Sequence, residues 1–269
     1  MPEQSDQSGR PDRSDHTDHF APEGLRTRGT VVVVPGRGET RATYDRFGSR
    51  LAADAYRVRV VDAPAVDAGD LPGTLSRFAA RLTAAVDGAR GEDGTVRPVV
   101  VVGSDTGAAL VAALYGTAGA SVAGVPEAEA VVLAGLPGRA PAAADTWDGE
   151  LDVRTSCPAH RRVLTDDAGV RRGALNDAVP EELLAAAHDG GTALPALILA
   201  GDADPLVDRD ELHRTAKSLA RARLSVVRGA HHDVLNDLQH RSVAAEVVTF
   251  LETLREDLVP LVTVETSAW

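Results

Sequence analysis

An aspartate held between two glycines, Asp105 in Gly103-Ser104-Asp105-Thr106-Gly107, is the side chain of this sequence best placed to do chemistry. The apolar run 99–102 leads into it, and the small-residue run 108–115 leads away. Strand, sharp glycine-flanked turn and helix are the parts of the G-x-S-x-G pattern, whose central residue is ordinarily a nucleophilic serine. Here the centre is a carboxylate, and Ser104 is off by one. A serine needs a base to take its proton. An aspartate, with an ordinary pKa of about 3.9, is already ionised. Two further groups follow in the chain. Asp202 and Asp204 come just after the apolar run 194–201, and His231 and His232 just after the run 223–230. Asp105 also suits a turn or helix N-cap, where aspartate is favoured. A metal site made from His231, His232 and Asp233 is disfavoured, because neighbouring side chains on a turn seldom converge.

The elements that must hold these groups alternate along the chain. Strands are expected at about 30–34, 57–61, 98–102, 130–134, 195–200 and 223–227. Their unbroken Val/Leu/Ile runs suit strands covered on both faces of a mostly parallel sheet. Tyr44, Phe47 and Leu51 share one face of a first helix. Asp208 and Glu211 have the spacing of an acidic capping box, with Leu212, Ala216 and Leu219 as the buried stripe. A last helix carries Val243, Val247, Phe250, Leu251 and Leu254. Ala108, Ala109, Ala112 and Ala113 let the helix after Asp105 lie close to the sheet. The alternation lapses over 137–193, which is rich in prolines and charge.

The order nucleophile, acid, histidine, together with its glycine spacings, resembles the α/β-hydrolase superfamily, in particular its lysophospholipase/monoacylglycerol-lipase-like branch, over residues 28–257. Pro35-Gly36-Arg37-Gly38-Glu39 is similar to that branch's H-G-x-G-E loop, with proline in place of histidine. The resemblance implies an α/β class chain with the α/β-hydrolase fold: core segments 25–136 and 194–257, and a small helical cap insertion at 137–193. It implies Asp105, Asp204 and His232 as catalytic residues. The G-x-x-D spacing from Gly201 favours Asp204 over Asp202, and the G-A-x-H spacing from Gly229 favours His232 over His231. Backbone N–H groups of Arg37 and Thr106 are the implied oxyanion hole. The Arg37 side chain is expected to pair with Asp105 in the empty site, recognition of an anionic substrate group being its other role. Trp147, Cys157 and His160 are the cap's candidates for touching substrate, with packing as the competing role. Haloalkane dehalogenases and epoxide hydrolases of this superfamily use an elbow aspartate that forms an ester, which a histidine-activated water then cleaves. This chain departs from both. Thr106 stands where dehalogenases usually have tryptophan, and Tyr44, Tyr56 and Tyr115 all lie outside the cap. The implied function is hydrolysis of a small or medium apolar substrate by an Asp-His-Asp triad, with Asp105 as nucleophile or as a charged base and His232 activating water. The alternative is a catalytically silent or non-hydrolytic, lyase- or cyclase-like protein of secondary metabolism.

Composition narrows the partners. A net charge of −12 opposes nucleic acid and anionic membrane surfaces, so a small-molecule substrate is the expected partner. The reading calls for no cofactor and no metal. A single cysteine, Cys157, allows no internal disulfide and fits a reducing cytoplasm. No apolar run approaches the roughly 20 residues that span a bilayer. Residues 1–24 lack the apolar core of a signal peptide and read as a disordered tail, with His16 and His19 solvated. Residues 258–269, ending in Trp269, read as an extended tail that either lies along the domain or joins a homodimer edge.

Overall fold

A computed structural model describes residues 15–91 and 94–267. Seven strands form one sheet: β1 (His16–His19), β2 (Gly29–Val34), β3 (Tyr56–Val61), β4 (Val99–Ser104), β5 (Ala130–Ala134), β6 (Ala196–Gly201) and β7 (Ala222–Val227). Their order is β1-β3-β2-β4-β5-β6-β7, parallel throughout except for β1, which runs antiparallel to β3. The six strands read from the sequence are therefore present. Val31–Val34 and residues 99–102 are fully or almost fully buried, as expected of strands sandwiched between helices.

Among the described residues, eight α-helices connect and cover them: α1 (Asp45–Ala53), α2 (Leu71–Gly88), α3 (Thr106–Tyr115), α4 (Trp147–Arg154), α5 (Pro158–Asp166), α6 (Glu181–Asp189), α7 (Arg209–Ser218) and α8 (His240–Arg255). Phe47 and Leu51 of α1 and Val243, Val247, Phe250 and Leu251 of α8 bury against one face of the sheet. Leu75, Phe78 and Leu82 of α2, the alanines of α3, and Leu212 of α7 fill the other. Asp208 caps α7 by accepting from the backbone N–H groups of Asp210 and Glu211 at 3.0 and 2.9 Å. The strand order reverses direction between β2 and β4, so the loops leaving these two strands open the crevice where such sheets place their sites.

Two segment expectations change. Residues 16–19 lie within the expected disordered tail, yet they form β1. The polar sequence His-Thr-Asp-His hides the strand, because what fixes it is charge: Arg59 Nε and Nη2 donate to the two oxygens of Asp18 at 2.6 Å each. His16 and His19 are accordingly only partly exposed. Residues 1–14 of that tail, and Trp269, lie outside the described residues. Within 137–193, helix α6 belongs to the core and not to an added layer. Its Leu183 and Ala187 join the cluster around α3, because an apolar stripe at i and i+4 packs on the nearest apolar helix. Helices α4 and α5 remain outside that core. Backbone bonds from His232 N–H to Val153 O (3.2 Å) and from Asp233 N–H to Arg154 O (2.9 Å) tie the end of α4 to the loop after β7. Arg171 N–H to Gly38 O (2.9 Å) ties the following segment to the loop after β2.

Candidate active site

Asp105 occupies the turn between β4 and α3 with φ +48° and ψ −123°. A non-glycine residue in such a region costs on the order of 1–3 kcal/mol and persists only where its surroundings dictate it. The flanking glycines supply that dictation. A Cβ on Gly103 would lie 2.5 Å from Gly107 O, and one on Gly107 would lie 2.6 Å from Pro35 O, so α3 and the loop after β2 close onto the turn only without side chains there. The Asp105 N–H donates to Ala134 O at 3.0 Å, fixing the turn to the end of β5.

The side chain of Asp105 meets two cations. Oδ1 accepts from His232 Nε2 at 3.1 Å and from Arg37 Nη2 at 2.8 Å. Oδ2 accepts from the Arg37 backbone N–H and from Arg37 Nε, each at 2.8 Å, with the Thr106 hydroxyl at 3.3 Å. His232 Nδ1 lies 2.9 Å from Asp204 Oδ2, whose other oxygen accepts from the Leu206 N–H at 2.9 Å. Burial would raise the pKa of Asp105, but the Arg37 charge and the bonds from His232 and Arg37 hold it well below the ordinary carboxylate range. Burial would lower that of His232, but the Asp204 charge and bonds to both carboxylates push it up to about 10. At neutral pH the ring is therefore an imidazolium that donates from both nitrogens.

The structure thus brings Asp105, His232 and Asp204 together and leaves their sequence competitors elsewhere. Asp202 accepts from the Gly229 N–H, and His231 pairs with Asp237 at 3.0 Å. Arg37 and Thr106 both lie beside Asp105, and the pairing of Arg37 with Asp105 is as expected. The three cap residues expected to touch substrate lie away from the cavity beside the turn. A cavity of about 550 Å³ opens beside the turn, and Arg37, Thr106 and Gly107 line it, but Trp147, Cys157 and His160 do not. Trp147 instead packs on Leu151, Leu164 and Val170, and Arg172 stacks over its ring at 5.2 Å. Cys157 is buried at the start of α5, with Arg46 donating to its sulfur. His160 points inward to Asp233, 2.9 Å away. Large side chains of a small helical layer are needed to hold that layer together, and packing takes all three.

Behind the loop after β2 lies a buried charge cluster that the sequence did not assemble. Arg154 donates to Glu150 through Nε and Nη2 (3.1 and 2.9 Å), reaches Asp233 at 3.5 Å, and gives Nη2 to the Arg37 carbonyl at 2.8 Å. Glu39 accepts from the Gly36 N–H at 2.8 Å and from the Tyr44 hydroxyl. Burial, with the Asp233 charge added, pushes its pKa up to about 8. Among the described residues, Glu39, His160 and Asp233 are the group close enough to share a cation, and the Arg154 guanidinium already serves as one there. The i,i+4 spacing of Glu150 and Arg154 on α4 was the one signal in the sequence. Asp237, which accepts from the N–H groups of His231, Ser156 and Cys157, gave none; burial notwithstanding, the bonds from the His231 N–H and ring, the Thr155 hydroxyl and the Leu238 N–H lower its pKa to about 2.

These two clusters give stability a definite pH dependence. A group whose folded pKa is raised contributes fully below its unfolded pKa, and the contribution is lost as pH rises through the folded value. For Glu39 that window runs from about 4.3, its unfolded value, to about 8, and for His232 from about 6.5 to about 10. Asp105, lowered, contributes in the opposite sense and fails only on the acid side. Denaturation midpoints should therefore fall steadily from pH 5 to pH 10. Glu39→Gln should flatten the lower half of that slope, and His232→Gln the upper half. Unchanged slopes in both variants would show that neither group titrates as described.

Strand order, strained turn and crevice define a protein of the α/β-hydrolase fold. The family model described as serine aminopeptidase, S33, matches residues 26–239, and the chain belongs to that hydrolase family, in keeping with the resemblance to the lysophospholipase/monoacylglycerol-lipase-like branch. Solved structures agree on the fold. A soluble variant of monoglyceride lipase from Saccharomyces cerevisiae aligns with a TM-score of 0.66 at 13% identity, over 89% of this chain and 91% of that one. Monoacylglycerol lipase from Paleococcus ferrophilus gives 0.65 at 16%, over 89% and 98%. The enol-lactonase from Burkholderia xenovorans LB400 gives 0.59 at 16%, over 88% and 95%. No curated protein matches the chain. The protein is a hydrolase whose nucleophile turn carries aspartate in place of serine.

Proposed function

We propose that this hydrolase acts on a small or medium-sized, largely apolar substrate through Asp105, His232 and Asp204. The observation that carries this reading is the line of groups at the strained turn: Asp105 Oδ1 to His232 Nε2 at 3.1 Å, and His232 Nδ1 to Asp204 Oδ2 at 2.9 Å. An Asp105 oxygen attacks a carbon bearing a leaving group, the C–O bond forms as the leaving group departs, and Asp105 becomes a neutral ester. Neutralising Asp105 removes one of the two anions that hold the second proton on His232. The ring gives that proton to the departing group or to solvent water and becomes the base for the attacking water, while Asp204 keeps it oriented. Water attacks the ester carbonyl, and the backbone N–H of Arg37, already aimed at Oδ2, receives the developing oxyanion together with that of Thr106. The alcohol leaves with its oxygen from Asp105, and the carboxylate is restored. Helices α4 and α5 would serve as the cap. The net charge and the single cysteine support a small-molecule partner and a cytoplasmic setting.

One observation favours a second route, in which Asp105 stays a charged anchor for water: both its oxygens are already engaged. A single-turnover reaction in heavy-oxygen water separates the two. The ester route places ordinary oxygen in the alcohol and heavy oxygen in Asp105, and intact mass after an acid quench finds the alkylated protein. Asp105→Asn should give no adduct with short-chain alkyl halides or epoxides. Heavy oxygen in the first-turnover alcohol, with no adduct at any time, would reject the covalent route.

A further inference from the structure

Arg37 stands between the triad and the open cavity. It lines that cavity, whereas Asp105 and His232 do not, so the guanidinium closes the way from the cavity to the carboxylate. The closure is complete at the level of lone pairs. A carboxylate offers about four acceptor sites, and the two oxygens of Asp105 face the Arg37 backbone N–H, its Nε and Nη2, the Thr106 hydroxyl and His232 Nε2. For Asp105 to react, Arg37 must leave it. A neutral ligand would strand a buried guanidinium; a ligand that brings its own carboxylate would not, because the fork exchanges one partner for an identical one. Nη1 of Arg37 is held by the carbonyls of Leu175 and Asp177, which gives the fork a fixed pivot on the cavity wall.

We propose that the substrate carries a carboxylate on an apolar body, and that this carboxylate displaces Asp105 from Arg37 and so releases Asp105 to react. The proposal rests on Asp105 being the reacting group. The cavity suits the apolar body: Pro64, Val66 and Val179 form an apolar wall, while Arg171, also on the lining, is ion-paired at 2.6 Å with Asp177, which lines the cavity beside it and must yield it to an incoming carboxylate. The parallel two-bond contact that Arg37 already makes is the geometry of a carboxylate, which favours that anion over a phosphate monoester.

Equilibrium binding tests this without turnover. Titration calorimetry with phenylbutyrate, its neutral amide phenylbutyramide and phenylpropyl phosphate should find the acid bound about tenfold or more tighter than the amide, as a charge-assisted pair requires. Asp105→Asn removes the internal competitor, so it should tighten the acid by a further factor of about ten and leave the amide unchanged. Arg171→Gln should weaken the acid several-fold. If circular dichroism finds Asp105→Asn unfolded, Arg37→Gln takes its place, and the acid should then bind no better than the amide. Equal binding of acid and amide in the wild-type protein, no tightening in a folded Asp105→Asn protein, or preference for the phosphate over the acid would each overturn the proposal. An Asp105 adduct without acid preference would sink only the carboxylate; acid preference without an adduct would sink only the covalent reading.

Discussion

His232→Gln is expected to lower turnover by a factor of about 10²–10⁴, the usual worth of a positioned general base, while leaving the first bond-forming step in place. The asymmetry follows from the two jobs of the ring. Before the ester forms, His232 is a charged donor to Asp105, 3.1 Å away, and the amide N–H₂ of glutamine can still donate there. After the ester forms, the ring must take a proton from water, and an amide has no basicity for that. A variant protein mixed with a reactive halide or epoxide that carries its own carboxylate, and so can draw Arg37 away, should therefore stall with the alkyl group on Asp105, visible as a stoichiometric mass increase that survives an acid quench. Turnover at the wild-type rate would remove His232 from the mechanism. A complete absence of adduct, in a variant whose circular dichroism is unchanged, would mean that Asp105 does not attack.

Arg154→Met should be the most damaging single change to stability outside the sheet. Arg154 is almost wholly buried, and its partners Glu150 and Asp233 are buried with it. Methionine matches much of the volume but strips the buried Glu150 and Asp233 carboxylates of the guanidinium they share. Breaking a buried pair on one side costs about 3–5 kcal/mol. Urea denaturation should register a loss of that order. Arg154→Lys should recover only part of it, since a single ammonium cannot span Glu150, Asp233 and the Arg37 carbonyl together. A loss below about 1 kcal/mol for the methionine variant, the range of an exposed pair, would show that water reaches the cluster.

How much of this was written in the sequence depended on whether the signal was local. The six parallel strands were legible because a strand buried on both faces must be apolar at every position, and residues 31–34 are four valines in a row. Asp105, Asp204 and His232 were legible because each sits at a fixed step from a glycine at a strand's end: Gly103, Gly201 and Gly229. Strand β1 was not, since its half-buried polar residues carry no alternation and its anchor, Arg59, is remote in the chain. Helix α6 had a readable stripe in Leu183 and Ala187, but its place between prolines and charges drew it into the cap. Trp147, Cys157 and His160 are engaged by protein neighbours, not by the cavity, for a general reason. Residue type marks a side chain as one that will be buried, and only tertiary structure says whether a ligand or a neighbour buries it. The Arg154 cluster combines both limits, its Glu150 partner being four residues away on one helix and its Asp233 partner coming from the loop after β7, remote in the chain.

The short strand β1 has a consequence for where this protein can be cut. The family match covers 26–239, and a boundary drawn there looks natural. It would discard β1 on one side and the whole of α8 on the other. Without β1, the backbone of β3 from Val58 to Val61 presents a row of unpaired amides and carbonyls at the end of a flat apolar sheet. Without α8, the sheet face that Val247, Phe250 and Leu251 cover would open to water. A bare edge beside a bare apolar face is a template for joining a second copy of itself. The family span is thus not a folding unit, and a chain trimmed to it would trade a covered surface for an aggregation-prone open one.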